Sequence, residues 1–208
     1  MGTFCTNITL VGADPVAVEQ LLVDAGRAAF VGSWDGDTVV YDERGEAQDG
    51  SHAALAQELS AVLGCVAVAS LNHDDDILYL QVFERGEVRG EYNSAPDYFD
   101  DGGDGMAVGP DTAIDDIPRI GLAAGPDPQR WLLGLDPATL VRLVGRGDAD
   151  RLAGIAAGDA LFASDLHAEI LDELGLPQAA CGTGYRYLTN GELPEDADAG
   201  GLHEVPRT

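Results

Sequence analysis

The sequence predicts an α+β protein. It reads as an N-terminal ferredoxin-like (βαββαβ) antiparallel sheet extended by a β-hairpin, followed by an acidic linker and a C-terminal helical region. Three observations carry this expectation. Short β-branched and aromatic runs alternate with two segments of helical period in the first third of the chain. Glycine-containing turns separate neighbouring runs at hairpin spacing. Past Ser94 the composition shifts to aspartate, glycine and proline, and later to sustained helical period.

Phe4 to Val11 alternates Thr and Asn with apolar residues and predicts the first strand, with Cys5 at its start. Asp14 is a good helix N-cap and Pro15 suits the first helical position. Val18, Leu21, Leu22 and Ala25 follow on one face, and Gly26 ends the helix. Ala28 to Ser33 and Thr38 to Asp42 are strands joined through Trp34, Asp35, Gly36 and Asp37. A second helix starts near Ser51, keeps Leu55, Leu59, Val62 and Leu63 on one face, and stops at Gly64. The apolar run from Cys65 to Leu71 predicts the next strand, completing the βαββαβ order.

The stretch LNHDDDILYLQVFERGEVRGEYNS, Leu71 to Ser94, joins the clearest strand pattern to the densest polar cluster. Ile77 to Phe83 and Val88 to Tyr92 are strand-length runs. Arg85 and Gly86 between them signal a hairpin turn, because glycine takes positive φ without a Cβ clash. Asn72 to Asp76 favour a turn by bonding to their own backbone. The expected organisation is a sheet domain over 1–94, an acidic Gly/Pro-rich linker or loop over 95–128, a helical region over 129–194 that can pack on the sheet, and a polar tail over 195–208, frayed at its end. In the helical region Asp136 and Asp148 cap two helices. A third runs from about Asp159 to Leu174, with Phe162, Leu166, Ile170 and Leu174 facing inward.

The formal net charge is -26, from 37 acidic and 11 basic residues, and every basic residue is Arg. Without Lys there is no Walker A phosphate loop, no kinase-type ATP site and no pyridoxal phosphate Schiff base. A surface this acidic repels phosphate backbones, so direct nucleic-acid binding is not expected. Solubility at high salt, a GC-rich genome or a functional acidic surface each account for such a charge. No apolar run reaches membrane-spanning length and the N-terminus lacks the pattern of a secretory signal, so the expected location is cytoplasmic. Cys5, Cys65 and Cys181 are widely spaced, without a C-x-x-C pair, and are expected as buried free thiols.

Asp74, Asp75 and Asp76, with Asn72 and His73 beside them, can supply oxygens to Ca2+ or Mg2+; the alternative is a solvated turn, since adjacent residues point in different directions. His73 is either a proton carrier or ligand, or a hydrogen-bonding turn residue. DYFDDGGDG, Asp97 to Gly105, departs from a calcium loop at Gly102. Cys181 lacks any cysteine-enzyme motif, although His167 or His73 are its conceivable bases, and His167 with Glu169 lacks the P-C-x-x-C partner of zinc deaminases. Tyr185, Arg186 and Tyr187 form either an anion or interface anchor, or a surface Arg paired to carboxylates. No catalytic residue and no cofactor site is assigned.

The runs LNHDDDILYLQVFERGEVRGEYNSAPDYF and FCTNITL together resemble a group of uncharacterised bacterial proteins. In that group a strand, acidic turn, strand, glycine turn and strand end in a Tyr-Asn-Ser-x-Pro segment. GTGYRYL is similar to the C-terminal part of some of its members. The resemblance covers about the first half of the chain; the group has no established activity, so no catalytic role passes to any residue here. The expectation for function is a non-catalytic binding or regulatory module that recognises a basic protein partner. A divalent-metal protein or metal-dependent hydrolase using Asp74 to Asp76, and a structural role with charge serving solubility, are the alternatives.

Overall fold

The computed structural model describes residues 2–96, 130–158, 160–194 and 201–207. In chain order the elements are β1 (Cys5–Val11), α1 (Pro15–Asp24), β2 (Ala29–Trp34), β3 (Asp37–Asp42), α2 (Ser51–Leu63), β4 (Val66–His73), β5 (Ile77–Glu84) and β6 (Glu87–Asn93). They continue with β7 (Trp131–Leu132), α3 (Pro137–Val144), α4 (Ala149–Ala157), α5 (Ala163–Glu173), α6 (Tyr185–Thr189) and β8 (Leu202–Val205). The fold is mixed α+β, built on one antiparallel sheet in the order β7-β6-β5-β4-β1-β3-β2-β8.

Local chemistry explains most of these elements. Asp14, Asp136 and Asp148 each accept a backbone N–H in the first turn of the helix they open, relieving the unpaired donors there. Asp35 and Gly36 carry φ of 50° and 90°, Arg85 and Gly86 φ of 54° and 81°. Two central residues of positive φ make the turn whose twist suits a two-residue hairpin, so β2–β3 and β5–β6 are held in register.

In the middle of the sheet β4, β1, β3 and β2 lie side by side, with α1 linking β1 to β2 and α2 linking β3 to β4. The overall order differs from the ferredoxin-like expectation because two unanticipated strands add to opposite edges. β7 is two residues long, too short to show a period. β8 lies in the segment expected to be frayed, and its exposed His203 and Glu204 disguise a strand that pairs with β2 through Ala29–Val205 and Gly32–Leu202.

The sheet is covered on both faces. One face carries Ile8, Leu10, Val31, Val40, Ala67, Ala69 and Phe83 and packs against Val18 and Leu22 of α1 and Leu55, Ala56 and Leu59 of α2. The other carries Val39, Tyr41, Val66, Val68, Leu78, Leu80, Val82 and Tyr92. It packs against Leu140, Val144, Leu152, Leu166, Ile170 and Leu171 of the C-terminal helices. Where the 130s segment crosses β6, Gly90 at φ 146° leaves room for Leu135, which a Cβ would strike.

Three side chains expected on inward faces are exposed, the first being Ala25, which is the C-cap of α1 rather than part of its face. Val62 is 62% exposed, on the outer side of α2. Phe162 is 48% exposed, because α5 begins at Ala163 rather than near Asp159 and Phe162 is its extended N-cap. The DYFDDGGDG segment and residues 97–128 of the expected linker lie outside the described residues.

Candidate functional site

Strand ends and helix starts converge at one end of the sheet, around the β4–β5 turn. The Asp76 N–H donates to His73 O at 3.1 Å, and the residues between, Asp74 and Asp75, carry φ of 53° and 63°. Aspartate tolerates this left-handed backbone better than most residues, which is why an acidic pair can stand where Asn-Gly is common. The turn sends its three carboxylates apart. Asp74 and Asp76 are exposed, while Asp75 is half-buried and faces the protein.

Asp75 is fully engaged. Its Oδ1 accepts from Asn72 Nδ2 at 3.2 Å and from the Ser164 N–H at 2.9 Å, and its carbonyl accepts from the Ala163 N–H at 2.8 Å. Its own N–H is shared between Thr3 O and Asn72 Oδ1, each at 3.2 Å. Phe162 cannot cap α5 with its side chain, so Asp75 caps that helix from a turn 89 positions away in sequence. Among the described residues no set of three His, Cys, Asp or Glu side chains converges as a metal ion requires.

His73 sits beside this turn in a defined tautomer. Gln48 donates through Nε2 to Asn72 O at 2.9 Å, so its Oε1 is an acceptor and His73 Nδ1 donates to it at 2.7 Å. Burial depresses the His73 pKa below its ordinary value, and the carboxylates of Asp74 and Asp76 offset only part of the shift. The imidazole ring packs edge-on against Phe4 with centroids 5.0 Å apart. Phe4 in turn donates its N–H to the Tyr187 hydroxyl at 3.3 Å.

His73 and Tyr187, far apart in sequence, thus meet through Phe4. Arg186 is exposed and lies over the Tyr187 ring at 5.8 Å, a cation–π contact. Tyr185 points the other way, against Phe30 with centroids 5.3 Å apart. The carboxyl of Glu46 lies at the start of α6; burial pushes its pKa up, and the backbone N–H groups of Arg186 and Tyr185 pull against that rise. Gly184 permits this approach, since a Cβ there would come within 2.7 Å of Glu46 Oε1 and 3.0 Å of Cys5 Cβ. No local pattern marks Phe4, Gln48 or Glu46 as members of this group. Their only local cue is Gln48 at φ 51°, a backbone state that a sequence does not display.

The Cys181 thiol donates to Ser164 O at 3.2 Å. His167 is buried in α5, and burial alone holds its pKa down at about 4. Cys5 is buried, with its thiol pKa pushed up first by burial and then by Cys181, Glu46 and Asp75. Cys65 and Cys181 are only half-buried, so the expectation of three buried thiols holds for Cys5 alone.

The arginines are largely tied down. Arg27 pairs with Asp42, Arg146 with Asp37, Arg151 with Glu173, Arg207 with Glu43, and Arg89 with Glu84 and Glu87, at 2.6 to 3.4 Å. Arg130 donates to the carbonyls of Ala156 and Gly158 at the end of α4. No helix among the described residues is long and apolar enough to cross a membrane. Compared with known proteins, the chain matches no family model, no curated protein and no solved structure.

Proposed function

We propose that this chain is a non-catalytic binding or regulatory module that recognises a basic protein partner through its acidic surface, in the cytoplasm, where free thiols persist. We read the inner strands β4, β1, β3 and β2 as a ferredoxin-like unit that serves as its platform.

The observation that carries this reading is the fate of the charges. Five of the eleven arginines, Arg27, Arg89, Arg146, Arg151 and Arg207, are committed to ion pairs within the chain, and the excess of carboxylates includes Asp74 and Asp76, exposed at the turn beside Phe4 and His73. Aromatic and Arg anchors within a field of one sign are the composition of a recognition surface, and the field raises the rate of encounter with an oppositely charged protein. Phosphate backbones are repelled by the same field. Burial holds Cys5, His52 and His167 in their neutral forms, which suits packing and works against general acid or base chemistry at neutral pH.

The test is capture with the purified chain at physiological ionic strength, followed by the same capture at high salt. A stoichiometric partner of net positive charge, lost as salt rises, supports the reading. Recovery of no such partner sinks it.

A further inference from the structure

A groove of about 550 Å3 runs between α4 and α5, lined by Arg151, Gly154, Ile155, Gly158, Ala160 and Glu169. The three α4 positions, Arg151, Gly154 and Ile155, recur at helical spacing and so present one face, and Gly158 is the extended C-cap that follows them. Gly154 leaves the floor bare, since a Cβ built there meets nothing within 4 Å. Ile155 is the apolar side chain on that floor. Ala160 on the lip leads directly into Leu161 and Phe162, which are 82% and 48% exposed. Two adjacent large apolar side chains held in solvent beside an open groove are unusual on a chain of this charge.

Across the groove α5 contributes Glu169 to the lining, and two more carboxylates flank it along that helix. Asp165, Glu169 and Asp172 lie exposed at i, i+4 and i+7 along α5, and none belongs to an ion pair among the described residues. The groove's arginine does not neutralise them, because Arg151 is paired with Glu173 at 3.0 Å. An apolar floor and lip beside a stripe of carboxylates is complementary to one kind of occupant.

The geometry points to the α4–α5 groove as the docking site for a cationic amphipathic helix of a partner protein. Its apolar stripe lies over Ile155, Leu161 and Phe162, and its Lys or Arg side chains meet Asp165, Glu169 and Asp172. This rests on the proposed binding role and gives it a place on the chain. A lipid surface is the poorer fit, because anionic headgroups would face a chain of net charge -26.

The test titrates the isotope-labelled full chain with a synthetic leucine/lysine peptide whose leucines follow helical spacing, and separately with oligolysine, at low and physiological salt. The leucine/lysine peptide is expected to bind with amide shifts concentrated between Arg151 and Glu169, and oligolysine to bind more weakly without that focus. Gly154→Leu fills the groove from an exposed helical position, where leucine favours the helix more than glycine does, so the variant folds. It is expected to weaken the leucine/lysine peptide roughly tenfold or more. Equal binding by wild type, Gly154→Leu and Leu161→Ser overturns the docking site while leaving the acidic binding role standing. If neither probe binds even at low salt, the binding role fails and the docking site fails with it.

Discussion

The two faces of the sheet are held by different means. The α1/α2 face is closed mostly by apolar contact between elements that are neighbours in sequence. The α3–α6 face adds buried hydrogen bonds between distant parts of the chain. Asn7 Nδ2 donates to Ala180 O at 2.6 Å and Thr183 O at 3.1 Å, the Tyr41 hydroxyl to Ala179 O at 2.7 Å, and the Tyr92 hydroxyl to Ala156 O at 3.2 Å. Asp75 adds the cap on α5. Apolar contact tolerates sliding, whereas a buried polar bond leaves its partners unpaired unless the register is right. The polar face therefore fixes where the C-terminal helices sit, and with them the α4–α5 groove and the Phe4–His73–Tyr187 group.

If both faces share one cooperative core, Ile170→Ala should lower stability by about 2–5 kcal/mol in a single transition followed by denaturant, as large core truncations do. Two separate transitions would break the comparison by showing that the helical region unfolds on its own.

Each face also buries one histidine, His52 under α2 and His167 under α5. Burial lowers both to about 4 from an ordinary value of 6.5; at His52 the neighbouring Asp49 pulls the other way. The unfolded chain therefore binds protons more readily between those values. This contribution is fully present above pH 6.5 and is lost as pH falls towards 4, on the order of 3 kcal/mol for each histidine. Denaturant midpoints from pH 7 to 4.5 should fall less steeply in His167→Asn than in the wild type. Slopes that coincide would show that His167 is already protonated or already exposed.

Asn7→Ala leaves the carbonyls of Ala180 and Thr183 unpaired and should remove about 1–3 kcal/mol. Amide exchange should quicken first at residues 180–188, and uniform quickening instead would mean that the polar contacts do not position this segment. The smallest effect is Asp75→Ala, which removes the cap on α5 and should lower stability by about 1 kcal/mol. That lowers the melting temperature by roughly 2–4 °C for a chain of this size.

Much of the first 94 residues was legible because their elements are short-range. The cap at Asp14 and the Asp35–Gly36 and Arg85–Gly86 turns need only neighbouring residues, as do the caps at Asp136 and Asp148 later in the chain. The Asp74–Asp76 turn was readable as a turn. That Asp75 caps a helix 89 positions later was not, since no local pattern encodes a partner so far along the chain. Phe162 shows the converse limit: its four-residue spacing fits a core stripe, yet the helix starts after it and the ring stays half in solvent. β8 was hidden because its pairing with β2 holds a segment whose own residues look like a tail.

Asp75 is architectural: it holds the β4–β5 turn to the start of α5. Thermal unfolding of the wild type and of Asp75→Asn with calcium, magnesium and manganese at matched ionic strength tests it most directly. Asparagine keeps an acceptor for the Ser164 N–H, so near-equal melting temperatures for the two proteins and the same response to every cation are expected. A specific ion at a hundred times its dissociation constant would stabilise by about 2.7 kcal/mol, a rise of roughly 5–10 °C. A saturable shift of that size for one cation, abolished in Asp75→Asn, would show instead that the turn is a metal site.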